Sequence, residues 1–162
     1  MDLSQLAADL KASSASQAIQ GELWLMPTLQ SLHLLAIAML FASALLLNLR
    51  IVGLVSREEP VLLFARRYVP WLWGGLVVLA LTGGTMVLAE PDRTLTNWVF
   101  GTKLALLAGA IVTSAALHVP LASNKYVWDV GRQRGLGVLL AGVSLILWGA
   151  IIVCGRWIAY AL

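Results

Sequence analysis

The chain has 162 residues, 60% of them apolar and 12% charged, and its mean hydropathy is +0.86. This composition excludes a soluble domain of this size and predicts one integral membrane domain, residues 1–162, in contact with the lipid bilayer. The formal net charge of +3 comes from cations near the ends of apolar runs, where they anchor to lipid headgroups, so we expect no nucleic-acid partner.

Residues 1–23 are polar enough to stay outside the bilayer. A short amphipathic helix is predicted there, because apolar side chains recur at helical spacing at Leu3, Leu6, Ala7 and Leu10. The serines within residues 13–16 offer an N-cap for a second short helix. No basic segment precedes an apolar run and a cleavage site, so we predict no signal peptide.

Four apolar runs follow, and each is long enough for a bilayer-spanning helix of about 20 residues. They predict an all-α, up-down-up-down four-helix membrane bundle, with spans at about 24–55, 69–89, 97–121 and 136–161. Pro27 suits the first turn of the first span, and Asn97 suits the cap of the third.

The loop after the first span predicts an additional element. Ser56 is followed by Arg-Glu-Glu-Pro and then by Val-Leu-Leu-Phe-Ala-Arg-Arg, so acids precede a helix start and cations mark its end. This arrangement predicts a short interfacial helix before the second span.

The distribution of basic residues predicts the orientation. The loops after the first and third spans carry seven of the eleven lysines and arginines. Basic loops face the cytoplasm, so both loops are predicted inside and both termini outside.

Ionisable side chains within the spans are costly and therefore mark functional candidates. They are His33, Arg50, Lys103 and His118. Counted from the centres of their spans, the two histidines differ in height by about 24 Å, because each helical residue rises about 1.5 Å. One haem in one subunit therefore cannot take both as axial ligands.

On the outer side, five residues share a level: His33, Gly83, Gly84, Met86 and Lys103. They would supply a metal ligand, a flat surface for a macrocycle, a thioether and a cation for propionates. The structural alternative is a satisfied bundle histidine, close helix packing at the glycines and a lysine that reaches the headgroups.

On the inner side, Asn48, Arg50 and His118 share a level and predict one polar cluster. Its structural alternative is an interhelical hydrogen-bond network in which Arg50 reaches a lipid phosphate. The single cysteine, Cys154, excludes an intrachain disulfide and is expected to be a core thiol.

Several segments resemble an uncharacterised family of small four-helix bacterial inner-membrane proteins. They are Ser16–Phe41, Leu45–Gly53, the Leu-Thr-Gly-Gly step at 81–84, and Thr96–Ala110 with the histidine at 118. In that family the segment after the first span typically reads Asp-Leu-Arg, so the resemblance implies that Asn48 replaces an acid and that an Asp–Arg pair is lost. The chain is also weakly similar to four-helix b-type cytochrome and copper-resistance modules, a likeness that assigns no function.

The leading functional hypothesis is a subunit of an electron-transfer or redox complex that binds haem b through His33, without stand-alone catalytic activity. A non-catalytic structural or assembly subunit of a larger membrane complex, or of a homo-oligomer, is the alternative. A small transporter is the third hypothesis, weakened because no Asp or Glu lies within a span to couple ion movement.

Overall fold

A computed structural model describes residues 3–157 of the protein, and within this range the chain is helical without strands. The helices are α1 (Leu3–Ala12), α2 (Ser14–Gly21), α3 (Leu25–Val52), α4 (Val61–Ala89), α5 (Pro91–Leu95), α6 (Trp98–His118), α7 (Pro120–Ser123) and α8 (Gln133–Trp157). The predicted all-α class is confirmed.

Four of these helices, α3, α4, α6 with its short extension α7, and α8, are long and apolar enough to cross a membrane. Most of their residues are not buried within the chain, and large apolar side chains such as Leu34, Leu35 and Ile146 are more than half exposed. Such an exposed apolar surface is stable only in lipid or against another apolar surface. The protein is therefore an integral membrane protein with a bundle of four spans.

The bundle is organised around α3, which packs closely against α4 and α8, while α6 packs against α8. Close approach of α3 and α4 depends on Gly75, since a Cβ at this position would lie 3.0 Å from the Leu40 Cβ. Residues of α4 and α6 approach each other less closely than those of these three pairs. We call the end of the bundle where α3 and α6 begin the amino-terminal side, and the opposite end the basic-loop side.

The second span differs from its prediction, because the expected interfacial helix and the span 69–89 form one continuous helix, α4. The segment from Val61 does not lie flat at the interface, since Val61, Phe64 and Ala65 are buried in the bundle core. Pro70 lies inside α4 and does not end it, as neighbouring groups in membrane bundles can compensate for a proline.

The other boundaries shift by a few residues. The first span is Leu25–Val52 rather than 24–55, and it ends where Gly53 adopts a positive φ of 88°. The third consists of α6 and its extension α7 and runs from Trp98 to Ser123, so it includes the predicted end at 121. The last begins at Gln133 rather than 136, and the residues 158–161 assigned to it lie outside the described range.

The predicted N-caps are confirmed. The Ser13 side chain accepts a hydrogen bond from the Ser16 backbone amide at the start of α2. The Asn97 side chain accepts one from the Val99 amide at the start of α6.

The two amino-terminal helices pack on the end of α4 and on α5. The Gln20 amide donates a hydrogen bond of 2.8 Å to the Ala89 carbonyl, and the Lys11 ammonium lies 2.5 Å from the Asp92 carboxylate. This carboxylate raises the pKa of Lys11. Ala7 is buried and Leu10 half-buried, whereas Leu6 is exposed, so only part of the predicted apolar face packs on the rest of the protein.

Candidate functional site

The imidazole of His33 is held on α4 by a threonine. Its Nδ1 lies 2.7 Å from the Thr82 hydroxyl oxygen, and this hydroxyl is also 2.7 Å from the Val78 carbonyl oxygen one turn earlier. A carbonyl can only accept, so Thr82 has one hydroxyl proton for two possible acceptors, the Val78 carbonyl and His33 Nδ1. When that proton points to Val78, Thr82 accepts from His33, which then carries its proton on Nδ1 and keeps a lone pair on Nε2.

This Nε2 atom makes no hydrogen bond with a described residue and is not enclosed. His33 is half-buried. A histidine whose one ring nitrogen donates to the protein while the other is accessible has the arrangement found in metal ligands.

The two glycines predicted to share this site have different surroundings. A Cβ at Gly83 would lie 3.3 Å from the His33 Cε1, so this glycine lets the imidazole rest against the α4 backbone. A Cβ at Gly84 would meet no atom within 4 Å. The space over Gly83 is therefore filled by the imidazole itself, whereas the surface over Gly84 is open.

Lys103 of α6 lies against α8 at the amino-terminal side of the bundle. Its ammonium nitrogen would lie 3.6 Å from a Cβ at Gly155. Met86 lies four residues beyond Thr82 on the same face of α4 and is half-buried. The amino-terminal side thus contains the contact of His33 with Thr82 between α3 and α4, and a lysine of α6 beside α8.

Arg50, on the basic-loop side, does not reach lipid phosphate, contrary to the structural alternative considered from the sequence. Only 7% of its side chain is exposed, and it donates hydrogen bonds of 2.8 Å to the Asp129 carboxylate and 2.7 Å to the Glu59 carbonyl. The other Asp129 oxygen accepts from the Val61 amide at the start of α4. An Asp–Arg pair is therefore present, with the acid supplied by the loop before α8.

The predicted cluster of Asn48, Arg50 and His118 is not joined by hydrogen bonds among the described residues. Asn48 donates to the Ser144 hydroxyl of α8 at 3.1 Å. The His118 ring packs edge-on against Trp73, with centroids 6.4 Å apart, and its buried Nδ1 has no partner. The basic-loop side therefore contains separate interactions, because these three side chains leave their helices in different directions.

The two histidines lie at different levels, as the spacing predicts. His33 contacts Thr82 of α4, whereas His118 lines a groove together with Val69, which is also in α4. Thirteen residues of α4 separate these two positions, a rise of about 20 Å. A single metal centre in one chain cannot reach both.

Sequence reasoning did not identify the hydrogen bonds of Asp129 and Ser144. A signal for Asp129 was present, since it is the one acid in the loop between the third and fourth spans and a buried arginine requires a counter-charge. Ser144 gave no such signal, because a small polar side chain on an apolar helix has many structural uses. Cys154, expected to be a core thiol, is half-buried.

Comparisons with known proteins identify the family of the chain. No curated protein and no solved structure matched the chain. A family model described as a family of unknown function, DUF6644, matches residues 21–161, which include all four spans. The chain therefore belongs to the DUF6644 family, in agreement with the uncharacterised family that its sequence resembles.

Proposed function

We propose that the protein is a subunit of an electron-transfer or redox complex in the bacterial cytoplasmic membrane, with both basic loops inside and both termini outside, and that His33 binds haem b. The observation that carries the proposal is the imidazole of His33, whose Nδ1 lies 2.7 Å from the Thr82 hydroxyl oxygen and whose Nε2 makes no hydrogen bond with a described residue. Haem would supply one-electron transfer.

The surroundings of His33 limit where a macrocycle fits. The gap between α3 and α4 at Gly83 is filled by the imidazole. Gly84, two residues from Thr82, lies on the opposite face of α4, so a macrocycle at His33 Nε2 would lie outside the α3–α4 gap and away from Gly84. The half-buried Lys103 would offer a cation for a propionate, and Met86 would offer a thioether. A ligand outside the α3–α4 gap would also be covered by a second subunit or by lipid, in keeping with a complex rather than a stand-alone enzyme.

The visible spectrum of purified protein, expressed with full haem supply, tests the proposal. We expect a Soret band in the wild type, none in His33→Ala, and an unchanged band in His118→Ala, compared at equal amounts of monodisperse protein. His118→Ala is the matched control because it removes the other histidine of the chain. A wild-type protein without a Soret band under both oxidising and reducing conditions would exclude haem.

A second function, a structural or assembly subunit, is favoured by the glycines of α8. Gly135, Gly142 and Gly149 are seven residues apart, and a Cβ at any of them would meet no atom within 4 Å. Glycines on one helix stripe permit close approach of another membrane helix. Isolation in mild detergent distinguishes the two functions, because an assembly subunit would co-purify in a stable, colourless complex that persists in His33→Ala.

A further inference from the structure

A groove opens between α4 and α6 on the basic-loop side of the bundle, about 20 Å from the level of His33. It has a volume of about 550 Å³. Its lining consists of Leu62, Ala65, Arg66, Val69, Pro70, His118, Leu121, Ala122 and Lys125. Apolar side chains thus form the walls and two cations lie at the exposed rim, with no acid among the described residues that line it.

The two cations of this groove are not neutralised within the described part of the chain. Arg66 and Lys125 are exposed and form no hydrogen bond or ion pair there. Among the other basic residues on this side, Arg50 is paired with Asp129 and Arg67 with Glu59, whereas Arg132 and Arg134 form no ion pair with a described residue. The groove therefore has an excess of positive charge at its rim.

Two further polar groups belong to residues that line the groove. The His118 Nδ1 is buried and has no hydrogen-bond partner in the described part of the chain. Pro70 has no amide proton, so it provides no donor to the Arg66 carbonyl, in contrast to a residue of a regular helix. A ligand in the groove would approach both residues while its charge meets the cations at the rim.

We propose that this groove binds one anionic phospholipid, with its phosphate between Arg66 and Lys125 and an acyl chain along the apolar wall of α4. Basic pockets between membrane helices suit such headgroups. A lipid with a phosphate and free hydroxyls, such as phosphatidylglycerol, matches the cations, His118 and the carbonyl together. A quinone would leave both cations without a counter-charge.

Native mass spectrometry of the purified full-length protein in detergent tests this assignment. Phosphatidylglycerol and phosphatidylcholine with identical acyl chains are added at equal concentration. We expect preferential retention of one phosphatidylglycerol. Each cation contributes about a fivefold preference, so Arg66→Gln/Lys125→Gln should weaken phosphatidylglycerol binding about 25-fold. His118→Ala should weaken it about threefold through the lost hydrogen bond.

The matched control is Arg67→Gln/Arg132→Gln, which removes the same charge from the same side but from residues outside the groove lining. We expect it to bind like the wild type. Equal losses in both double variants, or equal retention of the two lipids, would overturn the proposal. Displacement of the lipid by glycerol 3-phosphate would assign the site to a soluble anion instead. Ubiquinone binding that is lost in His118→Ala but kept in the groove double variant would assign it to a quinone.

Discussion

At the scale of single residues, the state of His33 depends on where the Thr82 proton points. If the Val78 carbonyl takes that proton, the histidine donates from Nδ1 and exposes its Nε2 lone pair. In that state the Thr82 side chain orients the imidazole and determines which ring nitrogen is protonated before any ligand binds. Gly83 completes this arrangement, because any larger residue would press against the ring.

Thr82→Val should remove this control with little change in volume. We expect nitrogen NMR of histidine-labelled protein to show the Nδ1-protonated form in the wild type and a mixture of the two neutral forms in Thr82→Val. Ligand affinity at His33 should fall about 10- to 100-fold, as for other groups that orient a metal-binding histidine.

Thr85→Val is the control for this substitution. The Thr85 hydroxyl also donates to a backbone carbonyl of α4, that of Leu81, but it makes no contact with His33. An identical change of the histidine spectrum in both variants would contradict the role of Thr82.

At the scale of elements, Asp129 connects three parts of the fold: it pairs with Arg50 of α3, accepts from the first amide of α4 and belongs to the loop before α8. Asp129→Ala should therefore cost about 3–5 kcal/mol of unfolding free energy, because it leaves a buried guanidinium without its counter-charge. Reversible unfolding in mixed micelles measures this loss.

Glu59→Ala is the informative comparison, since Glu59 binds Arg50 through its backbone carbonyl. Its carboxylate pairs only with the exposed Arg67, so this substitution should cost less than about 1 kcal/mol. A loss as large as that of Asp129→Ala would show that the loop as a whole, rather than the buried pair, stabilises the bundle.

These elements also show what the sequence could and could not predict. The four spans could be predicted because each apolar run is long enough to cross a bilayer. The start of α4 could not be predicted, because the continuous helix depends on the burial of Val61 and Phe64 by distant parts of the chain. The partner of Arg50 lies 79 residues away along the chain, and local pattern contains no information on such a pairing.

More of the contacts at the His33 site than of those in the predicted cluster of Asn48, Arg50 and His118 could be predicted from the sequence, for a related reason. His33 and the Thr82–Gly83 step lie on consecutive antiparallel helices, so counting residues along each helix places them at one level. Which atoms meet depends on helix rotation, which the spacing does not give. Rotation is also what separates Asn48, Arg50 and His118, although their depths are similar.

At the scale of the whole molecule, both proposals depend on which side of the membrane each end of the bundle faces. The seven cations of the two basic loops predict that this end faces the cytoplasm. The anionic phospholipid site would then lie in the inner leaflet and the His33 site near the outer surface. Electron exchange at His33 would occur with partners on the outer side.

Thiol labelling in a Cys154→Ser background tests this orientation. Asp9 in α1 and Glu58 in the loop after α3 are both exposed, and neither is close to the two proposed sites in the sequence. A membrane-impermeant maleimide should label Asp9→Cys in intact spheroplasts and should label Glu58→Cys only after permeabilisation. Each substitution removes one acid, which contributes little to topology, so the variants should insert like the wild type. The reverse labelling pattern would place His33 on the cytoplasmic side and move any electron exchange there.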